Sequence, residues 1–441
     1  MILFALLSAA LAAETRSLSI AEALDIADGE ASESLTMARA DLSGAEADLR
    51  SAMSYALPTV SASGSYQHTF QTEFEALFPE GSGFGGGTSP LGAANTYRVG
   101  FSASQVLYAG GSLKAGYKAA DAARDSAALS VEEQRASIAL NTIQAYYNAV
   151  LSERLYGIAT DTLARAERTL ADAQLGAEVG RTSEFEVLRA GVEVENQRVM
   201  VLRQQLQRDT ARLMLCQALD LPPDTQLVLT SALDEDSSRE VSRLAASHIG
   251  VSDDTRLELE KTQTLVSMAE AGVGLARAGA LPSLAASGNY GWATFPSDLF
   301  PPPPGDDWYD NVSVGLSLSV PIFGGGRNWA ELQSAKAQLD ATRALQDQMT
   351  ELAELDRQQA QTLLAGAEAQ YAATAATIDQ AQRAYEIAEV RYNEGISPQG
   401  ELADARLLLQ QAEINRAVAQ RDLLLARARI ALLPALPLGS Y

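Results

Sequence analysis

Residues 311–322 read Asn-Val-Ser-Val-Gly-Leu-Ser-Leu-Ser-Val-Pro-Ile, and the fold turns on how this stretch is read. Val312, Val314, Leu316, Leu318, Val320 and Ile322 alternate with Asn311, Ser313, Gly315, Ser317 and Ser319. A period of two places successive side chains on opposite faces of a strand. One face is aliphatic; the other is small and hydroxyl-bearing rather than charged. Residues 58–74 repeat the pattern, with Val60, Ala62, Gly64, Tyr66, His68, Phe70 and Phe74 set against Ser61, Ser63, Ser65, Gln67, Thr69, Gln71 and Glu73. Segments 96–108 and 283–295 alternate less strictly and read as hairpin partners of 58–74 and 309–322. Aromatics gather towards the strand ends on the apolar side (Tyr66, Phe70, Tyr97, Tyr290, Trp292). That is the outward and inward pattern of a membrane β-barrel, although ordinary alternation at the edge of a soluble sandwich has the same period.

The strand pairs belong to a duplicated chain. Residues 56–66 (ALPTVSASGSY) return as 280–290 (ALPSLAASGNY), and Tyr108-Ala-Gly-Gly-Ser returns as Phe323-Gly-Gly-Gly-Arg. Gly180 and Gly395, 215 positions apart, each open a short break in a helical pattern. Two long copies make a duplicated half rather than a solenoid array. The first repeat is assigned to 13–218, a linker to 219–252, the second repeat to 253–432 and a tail to 433–441.

Each half starts as a helix, the first with the capping box Ser19-Ile-Ala-Glu22. Pro58 and Pro282 end these helices. Segments 75–95 (GSGFGGG) and 296–307 (FPPPPGDD) read as surface loops. After each glycine run comes a proline-free helical stretch, about 112–177 and about 328–393. Each is about 100 Å long if straight, which implies a coiled coil or a helical tube. Asn328-Trp-Ala-Glu331 offers an N-cap and an acid for the second helix. Beyond the breaks, Ser183-Glu-Phe-Glu186 is a capping box, and Ser397-Pro398 predicts proline at the first helical position.

Composition excludes several function classes. Against 33 Lys+Arg stand 56 Asp+Glu, a net charge of −23, which disfavours nucleic acid because phosphates must be neutralised by cations. Cys216 is the single cysteine, so no intramolecular disulfide forms; it lies in an apolar helical stretch and reads as a packed core thiol. His68 and His248 are too few and too far apart for metal or acid–base chemistry, and no cofactor or enzymatic activity is expected. Residues 1–12 (MILFALLSAALA) resemble a signal peptide with cleavage before Ala13, although the n-region carries no Lys or Arg. A buried helix start is the alternative. No other apolar run is long enough for a membrane-spanning helix.

Four strands cannot close a barrel, and open edges are not tolerated in lipid. Two copies supply eight strands and three supply twelve; the larger ring leaves room for water. A trimeric conduit is therefore expected, with a soluble periplasmic coiled-coil scaffold or adaptor as the alternative.

These segments carry a resemblance. SLSIAEALDIA, ALPTVSASGSY and ALPSLAASGNY, VLYAGGSLKAG and VPIFGGGRNWAE, and the breaks AEVGRTSEFEVLRAG and YNEGISPQGELADA resemble, in order and spacing, the TolC family of outer-membrane efflux and secretion channels. The resemblance implies a mainly α chain with a membrane β-barrel: a homotrimeric twelve-stranded barrel on a long α-helical barrel, in outer-membrane lipid and reaching into the periplasm. It implies a channel of an efflux pump or type I secretion system, working with a periplasmic adaptor and an inner-membrane pump of the RND or ABC type. Adaptor docking falls at Gly180, Arg181, Thr182, Ser183 and at Gly395, Ile396, Ser397, Pro398. Gate candidates by position are Glu184, Glu186, Glu401 and Asp404, with Tyr392 as a link residue; the arginine usual two residues after the second glycine is replaced by Ser397. Acids at helix starts are also favoured by the macrodipole alone.

Overall fold

The computed structural model describes residues 15–29, 32–71, 93–248, 256–296, 299–302 and 307–439. The expected leader at 1–12, strand residues 72–74, most of the 75–95 loop, parts of 296–307, linker residues 249–252 and the last two tail residues lie outside them. The elements run β1 (Thr15–Leu18), α1 (Ile20–Ala27), α2 (Glu33–Ser54), β2 (Thr59–His68), β3 (Asn95–Ala109), α3 (Ser112–Glu178), α4 (Glu184–Ala218) and β4 (Gln226–Leu229). They continue with α5 (Glu235–His248), α6 (Leu257–Ala278), β5 (Ser283–Thr294), β6 (Tyr309–Ser319), α7 (Arg327–Asn393), α8 (Gln399–Leu432) and a 3₁₀ turn at Leu433–Ala435. The chain divides into two compact units.

One unit, Leu42–Ser126 with Gln263–Gln346, holds an antiparallel sheet in the order β2-β3-β5-β6. Its two hairpins come from the two halves, and they meet where β3 pairs with β5. The register aligns hydroxyl rows across the sheet. Ser61 lies opposite Ser102, which lies opposite Asn289 and then Ser313. Ser61 and Ser102 hydroxyls meet at 2.7 Å, as do those of Thr59 and Ser104. On the other face Val60, Ala103, Gly288 and Val314 align, as do Ala62, Phe101, Tyr290 and Val312. Within this chain the apolar row is open to solvent: Val314 is 87% exposed and Leu316 72%.

The less regular alternation of 96–108 has a cause. The β3–β5 register shifts between Val106 and Tyr108, so Leu107 has no partner and the faces swap beyond it. β6 ends at Ser319, short of the expected 322, because Pro321 has no N–H to donate to a ladder. Helix α7 begins at Arg327, so Asn328 lies inside it rather than capping it. Its side-chain amide donates to the Gly279 carbonyl at 3.0 Å. Among the described residues no helix is long and apolar enough to cross a membrane.

The other unit comprises the described parts of Met1–Asp41, Ala127–Thr262 and Asp347–Tyr441. Its core gathers Leu18, Ile20, Leu24, Ile143, Tyr146, Leu215, Cys216, Leu424 and Leu432, all buried. Fully burying one such Leu or Ile contributes about 1.5–3 kcal/mol. The expected first helix is two, α1 and α2, and the preceding β1 pairs in parallel with β4 from the linker. Tyr146 ties this pair down: its hydroxyl donates to the Leu18 carbonyl at 2.8 Å and accepts from the Ser231 N–H at 3.1 Å. A buried ion pair, Arg256 with Asp356 at 2.7 Å, joins the start of α6 to α7, and Arg256 also reaches the Leu436 carbonyl in the tail.

Candidate functional site

The glycine breaks are two copies of one backbone turn. Gly180 has φ +74° and Gly395 φ +70°, left-handed values that glycine adopts without a Cβ penalty. In the first turn Gly180 N–H donates to Ala177 O at 3.0 Å and Arg181 N–H to Gly176 O at 2.8 Å. In the second, Gly395 N–H donates to Tyr392 O at 2.9 Å and Ile396 N–H to Arg391 O at 2.8 Å. Both are Schellman caps, which satisfy the last carbonyls of α3 and α7 before the chain reverses.

The side chains then diverge. Ser183 caps α4 as the sequence suggests: its hydroxyl accepts from the Glu186 N–H at 3.3 Å, and its own N–H donates to the Glu186 carboxylate at 3.2 Å. At the second turn Pro398 is the N-cap rather than the first helical residue, with no side-chain bond, while Ser397 and Gln399 are buried. Proline tolerates this position because the N-cap residue is extended, φ −72° and ψ 156°. Glu401, the counterpart of Glu186, instead pairs with Arg391 at 3.2 Å. The counterpart of Arg391 is Gly176, where a Cβ would collide with the Thr182 hydroxyl. Two equivalent glutamates thus do different work: one caps, one bridges.

Of the expected gate residues, Glu184 and Asp404 are exposed on their helices. Tyr392 is half-buried against a small cluster of Tyr385, Ala388, Leu402, Ala405 and Leu409. Burial, then the Glu186 and Asp172 carboxylates, push its hydroxyl above the usual tyrosine range; Arg406 acts the other way. The structure therefore brings Tyr392 near Glu186, and α4 near α8: a Cβ on Gly400 would stand 3.2 Å from the Arg189 guanidinium nitrogens. Val179, Phe185, Leu188 and Ile396 leave apolar surface exposed on the two hairpins.

One residue here escapes a motif search. Arg406 is 2% exposed, donates to the Thr169 hydroxyl at 3.1 Å, and among the described residues keeps two guanidinium nitrogens without partners. Burial depresses its pKa, opposed in part by the Glu193 carboxylate. Arg165 stands nearby with its guanidinium over the Tyr385 ring at 5.3 Å. The only signal in the sequence is an arginine inside the otherwise apolar stripe Leu402, Ala405, Leu409. Among the described residues no group of His, Cys, Asp or Glu side chains is placed to hold a metal ion.

A family model described as outer membrane efflux protein matches residues 30–220 and 253–434. No curated protein sequence matches the chain. Solved structures do. The CmeC outer membrane channel of Campylobacter jejuni superposes with TM-score 0.76 at 18% identity, over 96% of this chain and 87% of that one. The outer membrane protein VceC of Vibrio cholerae gives 0.75 at 20%, over 96% and 97%. The open-state MtrE outer membrane channel of Neisseria gonorrhoeae gives 0.71 at 20%, over 95% and 89%. At these identities the likeness is one of fold.

Proposed function

The chain belongs to the outer membrane efflux protein family, whose members are channels, and from that premise we propose that three copies close a twelve-stranded barrel around a polar conduit. The observation that carries this reading is the order β2-β3-β5-β6. Its central junction joins the second strand of one half to the first strand of the other. Edge strands β6 and β2 are again a second and a first strand, so β6 of one copy can pair with β2 of the next by repeating the junction already present between β3 and β5. Closure removes edges that lipid would leave unpaired. The aliphatic rows then face lipid and the hydroxyl rows face water.

In the same reading the helices line a periplasmic tunnel, and the turns at Gly180–Ser183 and Gly395–Pro398 form its gated tip. Glu184, Glu186, Glu401 and Asp404 supply its acids and Tyr392 a polar link. A periplasmic adaptor docks on this tip and an inner-membrane pump supplies the cargo, in efflux or type I secretion. The apolar surface of Val179, Phe185, Leu188 and Ile396, open within this chain, supports a docking role.

The test is oligomer mass after extraction combined with planar-bilayer recording. The expected outcome is a protein that needs detergent, runs as a trimer and conducts. A water-soluble, non-conducting monomer would overturn the channel and restore the scaffold reading.

A further inference from the structure

The four strands β2, β3, β5 and β6 carry only two formally charged side chains, Arg98 and Asp310. The register sets them on opposite faces. Arg98 lies opposite Ser65 on one side and Ala293 on the other, and Ala293 lies opposite Tyr309. Along β3 its same-face neighbours are Thr96, Gly100 and Ser102, so Arg98 stands on the hydroxyl face. Asp310 lies opposite Trp292, which lies opposite Val99 and then Gly64, on the apolar face. Strand positions on the hydroxyl face therefore include a cation and no carboxylate.

The surroundings leave that cation uncovered. Arg98 is exposed. The next same-face positions on β3 and β5 are Gly100 and Gly291, directly paired, where a Cβ would come within 3.1 Å and 3.0 Å of the opposing backbone. Tight strand approach thus keeps this patch free of side chains beside the one long, permanently charged group on the face. Among the described strand residues no acid shares that face, so no strand carboxylate offsets the field of the guanidinium.

We infer that Arg98 sets charge selectivity in the strand-lined part of the conduit and favours small anionic solutes there. The inference rests on the closed-barrel reading above, which gathers three copies of Arg98 into one ring. Rings of Arg or Lys select anions where the path is narrow enough for their fields to overlap, within a Debye length of about 8 Å at physiological ionic strength. The acids at the helix turns would act in the opposite sense, giving the conduit two filters of opposite sign.

The experiment is the reversal potential of the purified, reconstituted protein in a KCl gradient. Relative to wild type, Arg98→Ser should raise the K⁺/Cl⁻ permeability ratio about twofold or more. Arg98→Glu should raise it further, and Arg98→Lys should leave it unchanged. As a second readout, Arg98→Cys in outer-membrane vesicles should react with a membrane-impermeant sulfonate-bearing thiol reagent, and the modified channel should lose chloride permeability. Native Cys216 is buried and stays silent. A conducting Arg98→Glu channel with wild-type selectivity overturns the inference, as does an unreactive Arg98→Cys. A wild-type protein that never conducts overturns the channel reading itself, a result distinct from either.

Discussion

Arg391 and Glu401 form an ion pair at 3.2 Å between the last turn of α7 and the first turn of α8. At the equivalent positions of the first hairpin stand Gly176 and Glu186, and there the glutamate folds back onto Ser183 instead. The duplication preserved the backbone turn and let its charges drift apart.

The pair screens the Glu401 charge, with both side chains about half exposed, which matters if these turns form the acidic tip proposed above. Neutralising Glu401 and Asp404 together should lower cation selectivity in bilayer recordings, because acid rings attract cations. Arg391→Ala should raise it, by releasing the Glu401 charge. Unchanged reversal potentials in both variants would place these residues outside the constriction.

Gly176 is demanded by packing rather than by φ. Gly176→Ala should destabilise the first hairpin by about 1–3 kcal/mol through overpacking against Thr182. Adding Thr182→Ala should restore most of the loss, since the colliding hydroxyl is then gone. Thermal melting of the two variants and the double mutant measures this coupling; an additive cycle would contradict it.

For Arg406 the partner matters more than the charge. Thr169→Val removes the hydrogen bond that the guanidinium makes among the described residues and should cost about 1–3 kcal/mol. Arg406→Met keeps much of the packing and deletes a partly unsatisfied buried cation, so its melting temperature should match or exceed wild type. A large destabilisation in Arg406→Met would mean that the Glu193 carboxylate already compensates the buried charge.

Tyr392 predicts an alkaline limit. Its folded-state pKa lies above the ordinary value of 10.0, so the folded chain holds the proton more tightly than the unfolded chain. That stabilisation is complete below about pH 10 and is lost as pH rises through the folded value. The melting temperature should fall more steeply above pH 10 in wild type than in Tyr392→Phe. Parallel curves would exclude the tyrosine.

The two faces of β6 should respond oppositely to the same change. Val314→Arg places a charge on the aliphatic row, which the closed-barrel proposal turns to lipid, and should cost about 2–4 kcal/mol near the bilayer midplane, read as loss of trimer from the outer-membrane fraction. Ser313→Arg, one residue away on the hydroxyl face, should still insert. Normal insertion of both would mean that the aliphatic face does not meet lipid.

Local chemistry made much of this legible in the primary structure. Alternation marks β2 and β6 because one face must differ from the other. The caps at Ser19 and Ser183 are visible because Glu22 and Glu186 sit three residues on. Where reading failed, the deciding contact was remote. Nothing near Asn328 announces that Gly279, 49 positions earlier, takes its side-chain amide. Nothing near Thr15 announces a parallel partner at Gln226. The bulge at Leu107, with Gln105 on the apolar row and Val106 on the hydroxyl row just before it, blurs the pattern of that strand.

The sequence by itself determined the period of each segment, the duplication, the glycine turns and the two-faced strands, because each depends on neighbours within a few residues. Tertiary structure decided which hairpin edges meet, which of two equivalent glutamates caps and which bridges, and that an arginine in an apolar stripe is buried on a threonine. Those outcomes depend on groups brought together from distant parts of the chain, where a single carboxylate or hydroxyl in reach determines the partner.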